Sequence, residues 1–172
     1  MSIPVDYQLA IDTLANGTVK DLEDLAQWLE GFPTGEDPLI HRTWIRNAVD
    51  CGSKLAVAWV LSKGVDLSGT DAEGYGVVHC AIARHTEDKH EILRMVLEKG
   101  APHDLEGPEG RLPLYMAAAH DDVESCRILV EFGADIGAIS DCDYYETALQ
   151  GALRYGHKKV RTYLASLEPK KP

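Results

Sequence analysis

The chain has 172 residues, 45% of them hydrophobic and 26% charged, with a formal net charge of −11. That is enough apolar material for a core of its own, in a length usual for one domain. So acidic a surface repels phosphate backbones and excludes nucleic acid as the natural partner. The longest apolar run, Leu55 to Leu61, is too short to cross a bilayer.

In chain order, residues 1–37 carry eight acids and one base. Their pattern predicts a helix pair, Val5 to Leu14 and Val19 to Leu29, joined at Asn16-Gly17. We read it as a degenerate N-terminal cap repeat. The start, Met1-Ser2-Ile3-Pro4-Val5-Asp6, lacks the basic and apolar segments of a secretory signal, so a cytoplasmic protein is expected. A loop from Phe32 to Pro38 leads onward. From residue 38 a six-residue pattern ending in alanine recurs. It reads Thr43-Trp44-Ile45-Arg46-Asn47-Ala48, then Gly76-Val77-Val78-His79-Cys80-Ala81, then Leu112-Pro113-Leu114-Tyr115-Met116-Ala117, then Thr147-Ala148-Leu149-Gln150-Gly151-Ala152. The alanines lie 33, 36 and 35 residues apart.

A second marker keeps the same register. Gly64, Gly100 and Gly133 each close a unit, as the left-handed end of a helix requires. Before each glycine stands an apolar helical face, such as Leu55, Val57, Ala58, Val60 and Leu61, or Val123, Cys126, Ile128, Leu129 and Val130. Asp121 and Glu124 have capping-box spacing. The second unit holds three extra residues within Arg84 to His90. The units fall near 38–70, 71–106, 107–140 and 141–168, with 169–172 as a tail. Cations at Lys158, Lys159 and Arg161 suit an outer end. Trp28 and Trp59 lie on apolar faces and are expected in the core. Trp44 is placed to plug the junction with the N-terminal pair. The four cysteines form no CxxC pair and read as reduced thiols.

These motifs resemble the ankyrin repeat family, whose pattern is Thr-Pro-Leu-His, any residue, Ala, preceded by a turn of Asp, two variable residues, Gly and one variable residue. The nearest local match is Asp71 to Ala81, and Phe132-Gly133-Ala134-Asp135-Ile136 also looks like the family's loop. No unit holds all of Thr-Pro-Leu-His. The histidine occurs at His79, with Arg46, Tyr115 and Gln150 in its place elsewhere. The resemblance implies an all-α solenoid of stacked helix-turn-helix units with projecting β-turn fingers. It also implies that His79 ties adjacent turns together by hydrogen bonds.

In the family, the fingers and first helices form the partner-binding face. Carried onto this chain, that face comprises Asp50, Glu73, Tyr75, Arg84, Glu109, Arg111, His120, Asp143, Tyr144, Glu146, Arg154 and Tyr155. Tyrosine and arginine are frequent interface anchors, so Tyr75, Arg84, Arg111, Tyr144, Arg154 and Tyr155 are the preferred hot spots. The function implied is a non-catalytic protein-binding module that occludes or stabilises one partner. An acidic surface suits a partner with a basic face, and the free protein is expected to be a monomer. Small acidic ankyrin proteins are also similar to bacterial immunity proteins that neutralise a cognate toxin. A rival from another class is a metal-dependent regulator or enzyme built on His85, His90 and His103, or on His79 beside Cys80. No phosphate-binding loop, zinc-protease motif or hydrolase elbow supports it, and no cofactor or metal is expected. Cys142 falls in a finger and is expected to be exposed.

Overall fold

The computed structural model describes residues 5–142 and 144–168. Asp143 and the 169–172 tail therefore lie outside the described residues. Among the described residues ten α-helices follow one another in five pairs. These are α1 Val5–Asn16 with α2 Val19–Trp28, α3 Trp44–Cys51 with α4 Lys54–Leu61, and α5 Val77–Ala83 with α6 Lys89–Glu98. Then come α7 Pro113–Ala119 with α8 Val123–Glu131, and α9 Ala148–Tyr155 with α10 Lys158–Leu167. First helices stack on first helices, α1 on α3, α5, α7 and α9 in turn, and second helices stack likewise. One apolar core runs between the two layers from Ala10 to Leu164. Each pair leans on its neighbours, as in any solenoid.

The sequence accounts for the helix ends. Thr18, Ser53, Asp122 and Thr147 each accept a backbone N–H of the first turn, a cap contributing about 1 kcal/mol. The cap of α8 is one residue later than its sequence spacing suggested. Asp122 bonds the Ser125 N–H at 3.0 Å, while Asp121 turns the chain at a φ of 54°. Gly64, Gly100 and Gly133 follow α4, α6 and α8 at φ of 72°, 88° and 100°, the conformation for which glycine was expected.

Trp44 is fully buried. Its indole lies 6.3 Å from the Tyr7 ring and meets Phe32 edge-on at 5.2 Å, so the N-terminal pair shares the common core. Three core assignments fail, Trp28, Leu55 and Ala58, the last exposed beside Leu55 on the outer side of α4. Trp28 is 52% exposed, because α2 has a stacked neighbour on one side only among the described residues. Leu55 is also exposed, since Ala56, Val57, Val60 and Leu61 fill the inward arc of α4.

Fingers connect the pairs. In the first, the buried Asp37 carboxylate accepts the N–H groups of Leu39, Ile40 and Arg42 at 2.8 to 3.1 Å, and the Asn47 amide at 2.9 Å. In the second, Asp71 accepts from the N–H groups of Glu73 and Tyr75. The third contains a single 3-10 turn, Pro108–Gly110. The fourth is a hairpin of two short antiparallel strands, β1 Ile139–Ser140 and β2 Glu146–Thr147.

Candidate partner-binding face

The third residues of α5 and α7, His79 and Tyr115, each reach into the next repeat and help join neighbouring fingers. At His79 the Gly76 N–H donates to Nδ1 at 3.3 Å, and Nε2–H donates to the Arg111 carbonyl at 3.1 Å. A carbonyl only accepts, so the proton sits on Nε2. The ring thus ties the second finger to the third, as the resemblance implied. Burial lowers its pKa and holds it neutral. Both nitrogens are committed, so His79 is not placed to act as a base on Cys80, whose buried thiol is pushed up instead.

At the equivalent place in the next pair, Tyr115 sends its hydroxyl outward. It donates to the Glu146 carboxylate at 3.3 Å and accepts from Arg154 Nη2 at 2.7 Å. The ring lies over α9 at Gly151, where an added Cβ would sit 2.6 Å from Tyr115 Cε2. Further bonds join the third and fourth fingers. The Asp141 N–H donates to the Gly110 carbonyl at 3.0 Å, and the Leu112 N–H to Ser140 Oγ at 3.1 Å. Arg42 links the first finger to the second, 3.6 Å from Asp71 and 3.3 Å from Asp50 on α3. The four fingers are bonded one to the next.

Two clefts open where fingers meet first helices. Arg42, Asp50, Asp71, Glu73, Tyr75, Cys80 and Ala83 line one. Tyr75, Pro108, Arg111, Met116, Ala119 and His120 line the other. Tyr75 forms the wall between them, its ring edge-on to His79. Arg111 pairs with Glu109 at the rim. Burial, followed by nearby Lys89, lowers the pKa of His120. Beyond the second cleft, the Arg154 guanidinium lies between two rings, 4.2 Å from Tyr144 and 4.3 Å from Tyr155, with Glu146 at 3.0 Å. Cation–π contacts of this kind contribute about 0.5 to 1 kcal/mol each at exposed sites. Ten of the twelve residues read from the sequence therefore lie along these fingers and first helices: Asp50, Glu73, Tyr75, Glu109, Arg111, His120, Tyr144, Glu146, Arg154 and Tyr155. Asp143 falls outside the described residues.

Arg84 is placed differently. It is 6% exposed and turned into the stack. It donates to the carbonyls of Val49 and Gly52 at 2.6 and 2.8 Å, and to both oxygens of Asp88 at 2.9 and 3.1 Å. It caps the C-terminal end of α3, where a cation is favoured, and the inserted segment supplies its counter-charge. The structure thus withdraws Arg84 from the exposed face expected of it.

His90 of the same segment is also engaged, whereas His85 is exposed. His90 Nε2 meets Asp122 at 2.9 Å, beside Lys89 at 2.6 Å. Burial alone would raise the Asp122 carboxyl, but Lys89, Ser125 and His90 hold it far below the usual carboxylate range. Among the described residues no group of three His, Cys, Asp or Glu side chains is arranged to hold a metal ion. Cys142, expected on the surface, is buried. Burial raises its thiol, yet backbone N–H groups, that of Tyr144 foremost, bring it below the ordinary value.

Sequence reasoning missed Asp71 and Arg42 as partners across two fingers, and Tyr145, which is exposed. The Tyr144-Tyr145 doublet could have pointed to the latter. The Arg42–Asp71 pairing has no local signature.

Residues 83–171, just over half the chain, match the family model of ankyrin repeats, in three copies. The chain is 32% identical over 94 residues, 54% of its length, to human BCL-6 corepressor-like protein 1, and covers 5% of that protein. It is 27% identical over 90 residues, 52% of its length, to the phosphocholine transferase AnkX of Legionella pneumophila, and covers 10% of it. The chain thus spans a small part of either relative, and the likeness concerns a stretch about half its own length. No helix among the described residues is long and apolar enough to cross a membrane.

Proposed function

The chain belongs to the ankyrin-repeat family, and on that premise we propose that it is a non-catalytic module that binds one partner protein across its fingers and first helices. Ankyrin repeats generally mediate protein–protein interaction. The observation that carries the reading here is the bonding of each finger to the next, through Arg42 and Asp71, His79 and Arg111, then Gly110 and Asp141. A face fixed in this way binds with little ordering cost. Its action is to cover the partner's surface or to stabilise it.

The chemistry of the first cleft narrows the partner. Asp50, Asp71 and Glu73 outnumber Arg42 there, and the whole chain is acidic. A lysine or arginine on the partner would complete that cleft, with Tyr75 packing on its aliphatic stem. An immunity-type protein that neutralises a basic toxin is the more specific form of this reading, supported by the same cleft.

The test is capture of partners from the host with tagged protein, beside a variant carrying Tyr75→Ala, Arg111→Ala, Tyr144→Ala and Tyr155→Ala, its helicity checked by circular dichroism. One stoichiometric partner lost in the variant is expected. A partner retained undiminished by a folded variant would overturn the assignment of this face.

A further inference from the structure

Counting from the caps of α2, α4, α8 and α10 aligns four of the five pairs, the three-residue insertion before α6 shifting the count in the other. Nine residues before Thr18, Ser53, Asp122 and His157 stand Leu9, Trp44, Pro113 and Ala148. The last three are buried, Trp44 against Tyr7 of the preceding pair and Phe32 of the loop that follows it. Leu9 is 46% exposed. Six residues after the caps stand Asp24, Trp59, Ile128 and Tyr163. The later three pack in or against the core, while Asp24 is exposed. Among the described residues, the N-terminal pair therefore shows an uncovered stacking face, a groove lined by Leu9, Thr13, Asp21, Asp24, Leu25 and Trp28. It is apolar, with two carboxylates on its wall.

The other end mirrors it. Four residues before the caps stand Leu14, Val49, Ala118 and Leu153. The first three are fully buried and Leu153 is 59% exposed. Four residues after the caps stand Leu22, Val57, Cys126 and Arg161, and again only the last is exposed. The C-terminal stacking face thus carries an exposed apolar side chain, Leu153, and an exposed cation, Arg161, with Lys158 and Lys159 exposed nearby.

We propose that the C-terminal end of one copy of this chain stacks on the N-terminal end of a second copy, in the register that joins repeats within the chain. In that register Cys126 and Arg127 of one pair face Tyr163 of the next, with the Arg127 guanidinium 5.0 Å from the Tyr163 ring. The corresponding residues across two copies are Arg161 and Thr162 on one side and Asp24 on the other. Opposite charges therefore meet where the stack within the chain places apolar or cation–π contacts, while Leu153 faces the groove of Leu9 and Trp28. The contact is heterologous, so a two-fold dimer does not satisfy it, and assemblies grow beyond a dimer, as a ring or an open filament. It replaces the monomer expected from the sequence, and it is independent of the finger face.

Sedimentation equilibrium across a wide concentration range tests it. The mass average should rise from 18.9 kDa with concentration, pass the dimer, and fall back on adding salt. Asp24→Lys or Leu153→Asp should each shift association to about tenfold higher concentration or more. Asp24→Lys combined with Arg161→Glu in one chain should restore it. All these positions are exposed, and circular dichroism checks that each variant keeps its helices. A mass that stays at the single-chain value throughout would overturn the proposal. So would association that ignores the charge swap, or that Tyr75→Ala abolishes.

Discussion

Replacing Arg84 with alanine separates a buried structural arginine from an exposed anchor. The guanidinium makes two bonds to carbonyls at the end of α3 and two to Asp88. Charge-assisted bonds contribute about 1.5 to 3 kcal/mol each. The two carbonyl bonds alone set a floor near 3 kcal/mol, because truncation leaves Val49 and Gly52 without their partner in a water-poor site. For a domain of this size that corresponds to a fall in Tm of roughly 6 to 12 °C. Urea unfolding measures the loss directly. Arg84→Lys should recover only part of it, since an ammonium cannot span both carbonyls and the carboxylate. A second readout is specific to the geometry. Arg84 is the main cause of the lowered Asp88 pKa, so NMR titration should show Asp88 moving up toward its ordinary value in the alanine variant. A loss below about 0.5 kcal/mol, the usual effect at an exposed position, with Asp88 unmoved, would refute the inward placement.

Two other outcomes follow from the joints between fingers. Gly151→Ala should gain about 1 kcal/mol of helix propensity but lose more, roughly 1 to 3 kcal/mol, to overpacking. Its Cβ meets the Tyr115 ring, which Glu146 and Arg154 hold in place. In a Tyr115→His background the smaller ring makes way, and thermal melts should show the same alanine stabilising; a loss of equal size in both backgrounds would contradict the clash. His79 gives a pH dependence. Its folded pKa is lowered, so its contribution is complete above the unfolded value of about 6.5 and declines as pH falls toward the lowered one. The slope from one such group is at most about 1.4 kcal/mol per pH unit. Melting curves between neutral and mildly acid pH should steepen for the native chain relative to His79→Gln, and parallel curves would argue against a neutral buried ring.

Much of the architecture was legible because it rests on local chemistry. The recurring alanine and the closing glycines at Gly64, Gly100 and Gly133 are single-residue requirements of a backbone conformation or a close approach, and such requirements leave marks in sequence. Trp44 could be placed because it stands at an otherwise small-residue position beside an aromatic-bearing pair. The errors share a different origin. Arg84 was read as surface because its acceptors, Val49 and Gly52, lie more than thirty residues upstream, and no local pattern announces them. Trp28 was read as core because an apolar helix face shows what can be buried, not whether a neighbour is there to bury it. Of the candidate face, the positions along the fingers could be carried over from the resemblance. The pairings that stiffen it, Arg42 with Asp71 and Tyr115 with Glu146 and Arg154, depend on contacts between units.

The third position of each first helix bears on how this stack can change over time. Arg46, His79, Tyr115 and Gln150 occupy it in turn, and at two junctions the following repeat is shaped to the residue it receives. Gly107 leaves room for the His79 ring, since a Cβ there would lie 2.5 Å from Nε2. Gly151 does the same for Tyr115. The repeats are therefore not interchangeable parts. A duplication that set the third repeat behind a copy of itself would face Tyr115 with Met116 instead of glycine, and a deletion would leave a ring against the wrong neighbour. Arrays of uniform repeats can lengthen or shorten by whole units, whereas here the order of repeats is itself encoded at their junctions, so the chain is expected to vary by substitution within repeats rather than by gain or loss of them.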